Sequence, residues 1–128
     1  MEEKVDSLLS KSQKYLRSAA VLFELEDFDS CASRAYFAMF YAAQAMLLNE
    51  TQAFSSKQGI RSSFIDQFVE KGPLPSRAGE AFERASELQE AGDYASDFAV
   101  PQTDAEHILA ESEAFVNSIT NLIMRTAA

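Results

Sequence analysis

The chain has 128 residues and a net charge of -9, from 20 acidic and 11 basic side chains. One domain of this length buries roughly two thirds of the surface that its unfolded form exposes, so it needs no disulfide or metal staple, and the negative balance argues against generic binding to DNA or any other polyanion. Ten Phe and four Tyr, with only four Gly and three Pro, favour long helices over short strands and predict an all-α fold.

The first residues, Met1-Glu2-Glu3-Lys4-Val5-Asp6, lack the basic start and apolar run of a signal peptide. From Glu2 to about Glu26, apolar residues fall at Val5, Leu8, Leu9, Tyr15, Leu16, Ala19, Leu22 and Phe23, the three-four spacing of one stripe of an amphipathic helix. Lys4, Lys11, Lys14 and Arg17 lie among its polar positions. Asp27-Phe28-Asp29 breaks the stripe, and either Asp can cap the next helix by accepting a hydrogen bond from a free amide.

That next helix, from Asp29 to about Asn49, is apolar on nearly every face and must be surrounded by others. Its one charge after Asp29 is Arg34, and a guanidinium in such a setting is either paired with a carboxylate or exposed in a cleft. Cys31, the single cysteine, cannot form an internal disulfide and reads as a small hydrophobe, which fits a reducing cytoplasm. The longest charge-free run, Ala35 to Asn49, is 15 residues, short of the ~20 a membrane span needs. The expectation is a cytoplasmic protein with no membrane partner.

Glu50 to Ser56 reads as a polar loop whose serines offer an N-cap. A shorter helix follows over about Ser56 to Lys71, with Ile60, Phe64 and Phe68 on one face and Gly72-Pro73 as its stop. A fourth covers about Pro75 to Ala91, burying Ala78, Ala81, Phe82, Ala85 and Leu88, with Gly92 placed to end it. Asp93 to Pro101 is an irregular connector. Thr103 and Glu106 then form a capping box for a last helix with the stripe Ala105, Ile108, Leu109, Phe115, Val116, Ile119, Leu122 and Ile123. The pattern predicts one domain over residues 1–128, an up-and-down bundle of four main helices plus a short one. The apolar stripes of helices one and five are the expected homodimer surface.

Between Lys57 and Arg84 lie five basic and four acidic residues, leaving +1 there and -10 elsewhere. The segment is either one neutral-to-basic face or a set of scattered solvated charges. One Cys and one His, His107, give no metal-ligand set, and no Glu-x-x-His pair occurs. His107 reads as a surface residue rather than a general base. No phosphate loop, nucleophile elbow or dinucleotide fingerprint is present, so no cofactor is expected.

Three stretches remain to carry function: Ser33-Arg34-Ala35-Tyr36, Ser55-Ser56-Lys57-Gln58-Gly59 and Gln89-Glu90-Ala91-Gly92-Asp93-Tyr94. Ser33 to Ala45, then Ser56-Lys57-Gln58-Gly59-Ile60, then Phe68-Val69-Glu70-Lys71-Gly72, then Gly92-Asp93-Tyr94 closely resembles the HEPN domain family in its small prokaryotic branch, over almost the whole chain. The resemblance implies a helical bundle, usually dimeric, often encoded beside a minimal nucleotidyltransferase in a toxin-antitoxin type of pair. In active members an Arg late in a helix, followed a few residues later by a His, cleaves RNA without metal. Members of this branch commonly carry Arg-x-x-Gly-Asp-Tyr, and here the first position is Gln89. The basic position before the Gly of helix three, a His in many relatives, is Gln58, and His107 stands 13 positions beyond Tyr94.

Metal-free RNA cleavage needs a cation to stabilise the phosphorane and a base for the 2'-hydroxyl proton, and Gln89 supplies no charge. Arg84, five residues before Gln89, is rotated about 140° round the helix and is no simple substitute. The sequence therefore reads against catalysis and toward a binding or interaction protein, pairing with a nucleotidyltransferase-type partner and taking a nucleotide or RNA as ligand. The alternative is a metal-independent endoribonuclease toxin with a diverged site. The candidate ligand or RNA-binding residues are Arg34, Tyr36, Asp93 and Tyr94, with Ser33, Lys57 and Gln89 as weaker ones. The resemblance places Arg34 and Asp93-Tyr94 in one motif set, which implies either a buried Arg34–Asp93 ion pair capped by Tyr94 or a site for a phosphate or base.

Overall fold

Asp27 decides where the central helix begins. Its carboxylate accepts a hydrogen bond from Ser30 N at 3.3 Å, satisfying one of the first-turn amides, and α2 runs over Phe28–Asn49. The helix before it, α1 (Glu3–Glu24), closes with Asp27 N bonded to Leu22 O and Glu26 N to Phe23 O, both at 2.9 Å. This paired closure puts Glu26 at φ 61°, a left-handed position usually given to Gly or Asn. Phe23 and Phe28 pack across the turn with ring centroids 5.4 Å apart. The computed structural model describes residues 3–50 and 56–127, apart from the side chains of Lys57, Gln58, Thr126 and Ala127. Most of the loop expected from Glu50 to Ser56 therefore lies outside the described residues.

The fold is an all-α bundle: α3 (Lys57–Phe64), α4 (Ser76–Tyr94) and α5 (Gln102–Ala127) complete it, and α2 packs against all four other helices. The small side chains Ala32, Ala35, Ala38, Ala42 and Ala45 are fully buried and let neighbouring backbones come close. Two buried hydroxyls use that approach. Ser12 of α1 donates to Ala38 O at 2.7 Å, and Ser112 of α5 donates to Ala35 O at 2.8 Å. On another side of α2, Tyr36, Phe64, Phe82 and Phe115 form a buried aromatic stack with neighbouring centroids 5.0–5.8 Å apart. Each such side chain contributes about 1.5–3 kcal/mol by leaving water.

Four local expectations are corrected. Helix three is α-helical only to Phe64 and widens into a π-helical segment, Ile65–Glu70, ending with Lys71 N bonded to Asp66 O. Gly72 follows because a Cβ there would lie 2.5 Å from Gln67 O, a clash rather than a left-handed cap. Gly92 does not end α4, which continues to Tyr94. It is small because Val100 and Asp29 press on it, at 3.0 and 3.4 Å from where a Cβ would stand. Finally, α5 starts at Gln102, so Thr103 lies inside the first turn and not at a capping box.

The apolar stripes expected to pair two copies are partly consumed within the chain, with Leu8, Tyr15, Leu22 and Phe23 of α1 and Leu109 and Leu122 of α5 only half-buried. Val5, Leu9, Leu16 and Ala19 of α1 and Ala105, Ile108, Phe115, Val116, Ile119 and Ile123 of α5 are all buried. What these helices leave exposed is Val21, at the end of α1, and Met124. No described helix is long and apolar enough to cross a membrane.

Candidate functional site

The end of α4 meets the start of α2 at a small polar cluster. Asp29 accepts a hydrogen bond from Val100 N at 2.7 Å, which ties the connector after α4 down onto α2 beside Gly92. One turn along α2, the Ser33 hydroxyl donates to Asp93 Oδ2 at 3.0 Å. Gln89, one turn before Asp93 on α4, donates through Nε2 to the same oxygen at 2.8 Å. Gln89 is 2% exposed, and its Oε1 is buried without a hydrogen-bond partner. Asp93 itself is exposed, and Tyr94 beside it is 78% exposed. The cluster thus presents a carboxylate held by two neutral donors and an open phenol, with no ion pair to Asp93 among the described residues.

Of the residues named from sequence, Ser33, Gln89 and Asp93 come together and Tyr94 adjoins them. Arg34 does not join them. Successive helix residues point about 100° apart, so Arg34 faces α1, where its guanidinium lies over the Tyr15 ring at 4.6 Å. The expected ion pair with Asp93 is therefore absent, and so is a composite site built on both. Tyr36 is fully buried in the aromatic stack, where its hydroxyl accepts a bond from Arg61 Nη1 at 3.3 Å. It is a core residue rather than a surface for a ligand. The Lys57 side chain lies outside the described residues.

Three of the five basic residues of the middle segment are paired, while Arg77 is exposed and has no ion pair among the described residues. Arg61 bonds Tyr36 and pairs with Glu83 at 3.3 Å, Lys71 pairs with Asp66 at 3.3 Å, and Arg84 pairs with Glu111. Burial works to lower the Arg61 pKa, but the Tyr36 and Glu83 contacts outweigh it and raise it. Sequence reasoning counted Arg61 only as a charge. The signal that could have placed it is its position one residue past Ile60, flanking the buried face of α3.

Unpaired cations gather instead on α1 and the adjoining face of α2. Lys11 lies over the Tyr41 ring at 4.7 Å, Arg34 over Tyr15, and the two rings meet edge to face at 5.2 Å. Lys14 and Arg17 line the same shallow depression. None of these four cations forms an ion pair among the described residues. Partial burial pushes the Tyr41 phenol up, Tyr15 adds to this, and Lys11 opposes it. Among the described residues, no three His, Cys, Asp or Glu side chains converge as a metal ion would require. His107 is an exposed residue of α5.

The sequence pattern described as "HEPN domain" matches residues 5–122. A protein of Thermotoga maritima called "UPF0332 protein" is 27% identical over 113 residues, covering 88% of this chain and 86% of its own. "Putative toxin MJ0605" of Methanocaldococcus jannaschii is 29% identical over 119 residues, covering 93% of this chain and 88% of its own. The crystal structure of TT1696 from Thermus thermophilus is similar in fold, with a TM-score of 0.79 at 16% identity over 94% of this chain and 98% of that one.

Proposed function

The chain belongs to the HEPN domain family, and from that premise we propose that it is a binding and interaction component of a toxin-antitoxin-like pair, with little or no catalysis of its own. The observation that carries this reading is the Ser33–Asp93–Gln89 cluster. At the place where the resemblance expects an Arg, a neutral side chain is buried and committed to holding Asp93. A phosphorane forming there would meet one carboxylate and two neutral donors, which add no positive charge to offset its own. The toxin name carried by a relative similar over most of the chain supports membership of a paired system. A dimer, a nucleotidyltransferase-type partner and a nucleotide or RNA ligand remain part of the proposal.

The alternative, a ribonuclease using Arg34 with Asp93 and Tyr94, has lost its geometric support because Arg34 faces α1. Purified protein incubated with RNA in EDTA tests the choice. The expected result is intact RNA. Cleavage that disappears in a folded Asp93→Ala or Arg34→Ala variant would overturn the proposal in favour of a diverged ribonuclease. For the paired system, the neighbouring reading frame is the informative observation: a nucleotidyltransferase whose product co-purifies with this chain supports it, and a nucleotidyltransferase there that fails to bind contradicts it.

A further inference from the structure

We propose that the cationic face formed by Lys11, Lys14, Arg17 and Arg34, continued by Val21 and Leu25, docks an acidic and partly apolar helical segment of a partner protein. The inference rests on reading the chain as an interaction protein, and it adds where the partner is held and by what chemistry.

The chain is strongly acidic, with a net charge of -9. Arg61, Lys71 and Arg84 are paired with carboxylates. Lys4, Arg77 and Arg125, also without an ion pair among the described residues, stand apart near the starts of α1 and α4 and the end of α5, outside the depression that Lys11, Lys14, Arg17 and Arg34 line. The four in the depression are unpaired together. Four unpaired cations packed on one face repel one another, which costs stability that a partner's carboxylates would return on binding. Lys11, Lys14 and Arg17 follow at three-residue steps along exposed α1, and Arg34 reaches the same depression from α2. The spacing gives a row running obliquely across one face of α1, suited to an extended or helical acidic segment rather than to a single small anion.

Apolar exposure decides between protein and nucleic acid. The row runs on into Val21, 59% exposed, and Leu25, 70% exposed. An adjoining depression joins Lys14, Arg17 and Arg34 to Val21 and Leu22. Aliphatic side chains at that exposure match the apolar residues of an amphipathic helix. A single-stranded nucleic acid would instead need free aromatic faces for its bases. Here Lys11 and Arg34 already lie over Tyr41 and Tyr15, and each ring also meets the other at its edge. These cation-ring contacts hold the charges in place and so reduce the side-chain entropy lost when a partner binds.

The test uses the full chain and three probes of matched length, followed by amide shifts in solution: an amphipathic peptide of Glu and Leu at helical spacing, polyglutamate, and oligouridylate. The expected result is that the mixed peptide binds most tightly, with shifts confined to Lys11 through Leu25 and the surroundings of Arg34. Lys14→Glu with Arg17→Glu should weaken it at least tenfold without moving the melting curve, and Val21→Ser should weaken it severalfold. The proposal is overturned if oligouridylate binds these residues more tightly, if the peptide's shifts fall elsewhere, or if the double variant binds it as well as the parent. It is also overturned if the double variant converts a dimer to monomer in sedimentation, because the face would then belong to a second copy. Loss of peptide binding alongside intact RNA in the EDTA assay would remove this surface while leaving the non-catalytic reading in place.

Discussion

Ser33 and Arg34 are adjacent in the chain and serve two unlike regions. Ser33 joins a hydrogen-bonded cluster with Asp93 and the buried Gln89, whereas Arg34 lies on an open face beside three other cations without ion pairs. The contrast follows from helix geometry, since one residue step turns a side chain by about 100°. The position where the resemblance expects an Arg holds the buried, neutral Gln89, and the nearby cation Arg34 points elsewhere. Where a relative's chemistry would be sought, the side chains lock α4 onto α2. Four cations without ion pairs, Lys11, Lys14, Arg17 and Arg34, line one depression on the other side of α2.

If the closed side is structural, its core should be the costliest to disturb. Tyr36→Ala removes a fully buried ring from the stack with Phe82 and leaves Arg61 without its hydroxyl partner. A loss of about 3–5 kcal/mol is expected in a denaturant titration, and a loss below about 1 kcal/mol would return Tyr36 to the list of surface candidates. Asp93→Ala strands the buried Gln89 amide and the Ser33 hydroxyl. The same titration should give about 1–2 kcal/mol.

The open side should respond the other way. Arg34→Ala forfeits one exposed contact with Tyr15, so a stability loss below about 1 kcal/mol is expected. A larger loss would mean that Arg34 is part of the core after all. Cys31 marks the rigidity of the closed side: burial, with Asp27 adding, pushes its thiol up to about 11. At pH 8 only about one molecule in a thousand then carries a thiolate, so thiol labelling should wait on global unfolding. Fast labelling of the native protein would show that the start of α2 opens.

The helices and most of the core were legible because a three-four stripe says which face is buried, as it does for Ile60, Phe64 and Phe68. Side-chain chemistry offered either Asp27 or Asp29, and either of two serines, as caps, and the structure uses Asp27 and Ser56. Glycines misled, because Gly92 can mark a helix end or a close contact, and only Val100 and Asp29 arriving from elsewhere decide which. The π-helical segment left no mark in the apolar spacing of Ile60, Phe64 and Phe68. At the candidate site, Ser33, Gln89 and Asp93 were each named through the family resemblance, but the grouping expected was Arg34 with Asp93 and Tyr94, not Ser33 with Gln89. The direction of Arg34 was not legible, because its partners Tyr15 and Lys11's ring neighbour Tyr41 are joined only by tertiary packing.

A double-mutant cycle between Arg34→Ala and Asp93→Ala, read in unfolding free energy, bears most directly on the separation of these two regions. Two independent regions predict additive effects, with a coupling energy within about 0.5 kcal/mol, while Ser33→Ala with Asp93→Ala couples measurably as the positive control. A coupling above about 1 kcal/mol between Arg34 and Asp93 would contradict the separation and restore a single site that holds both.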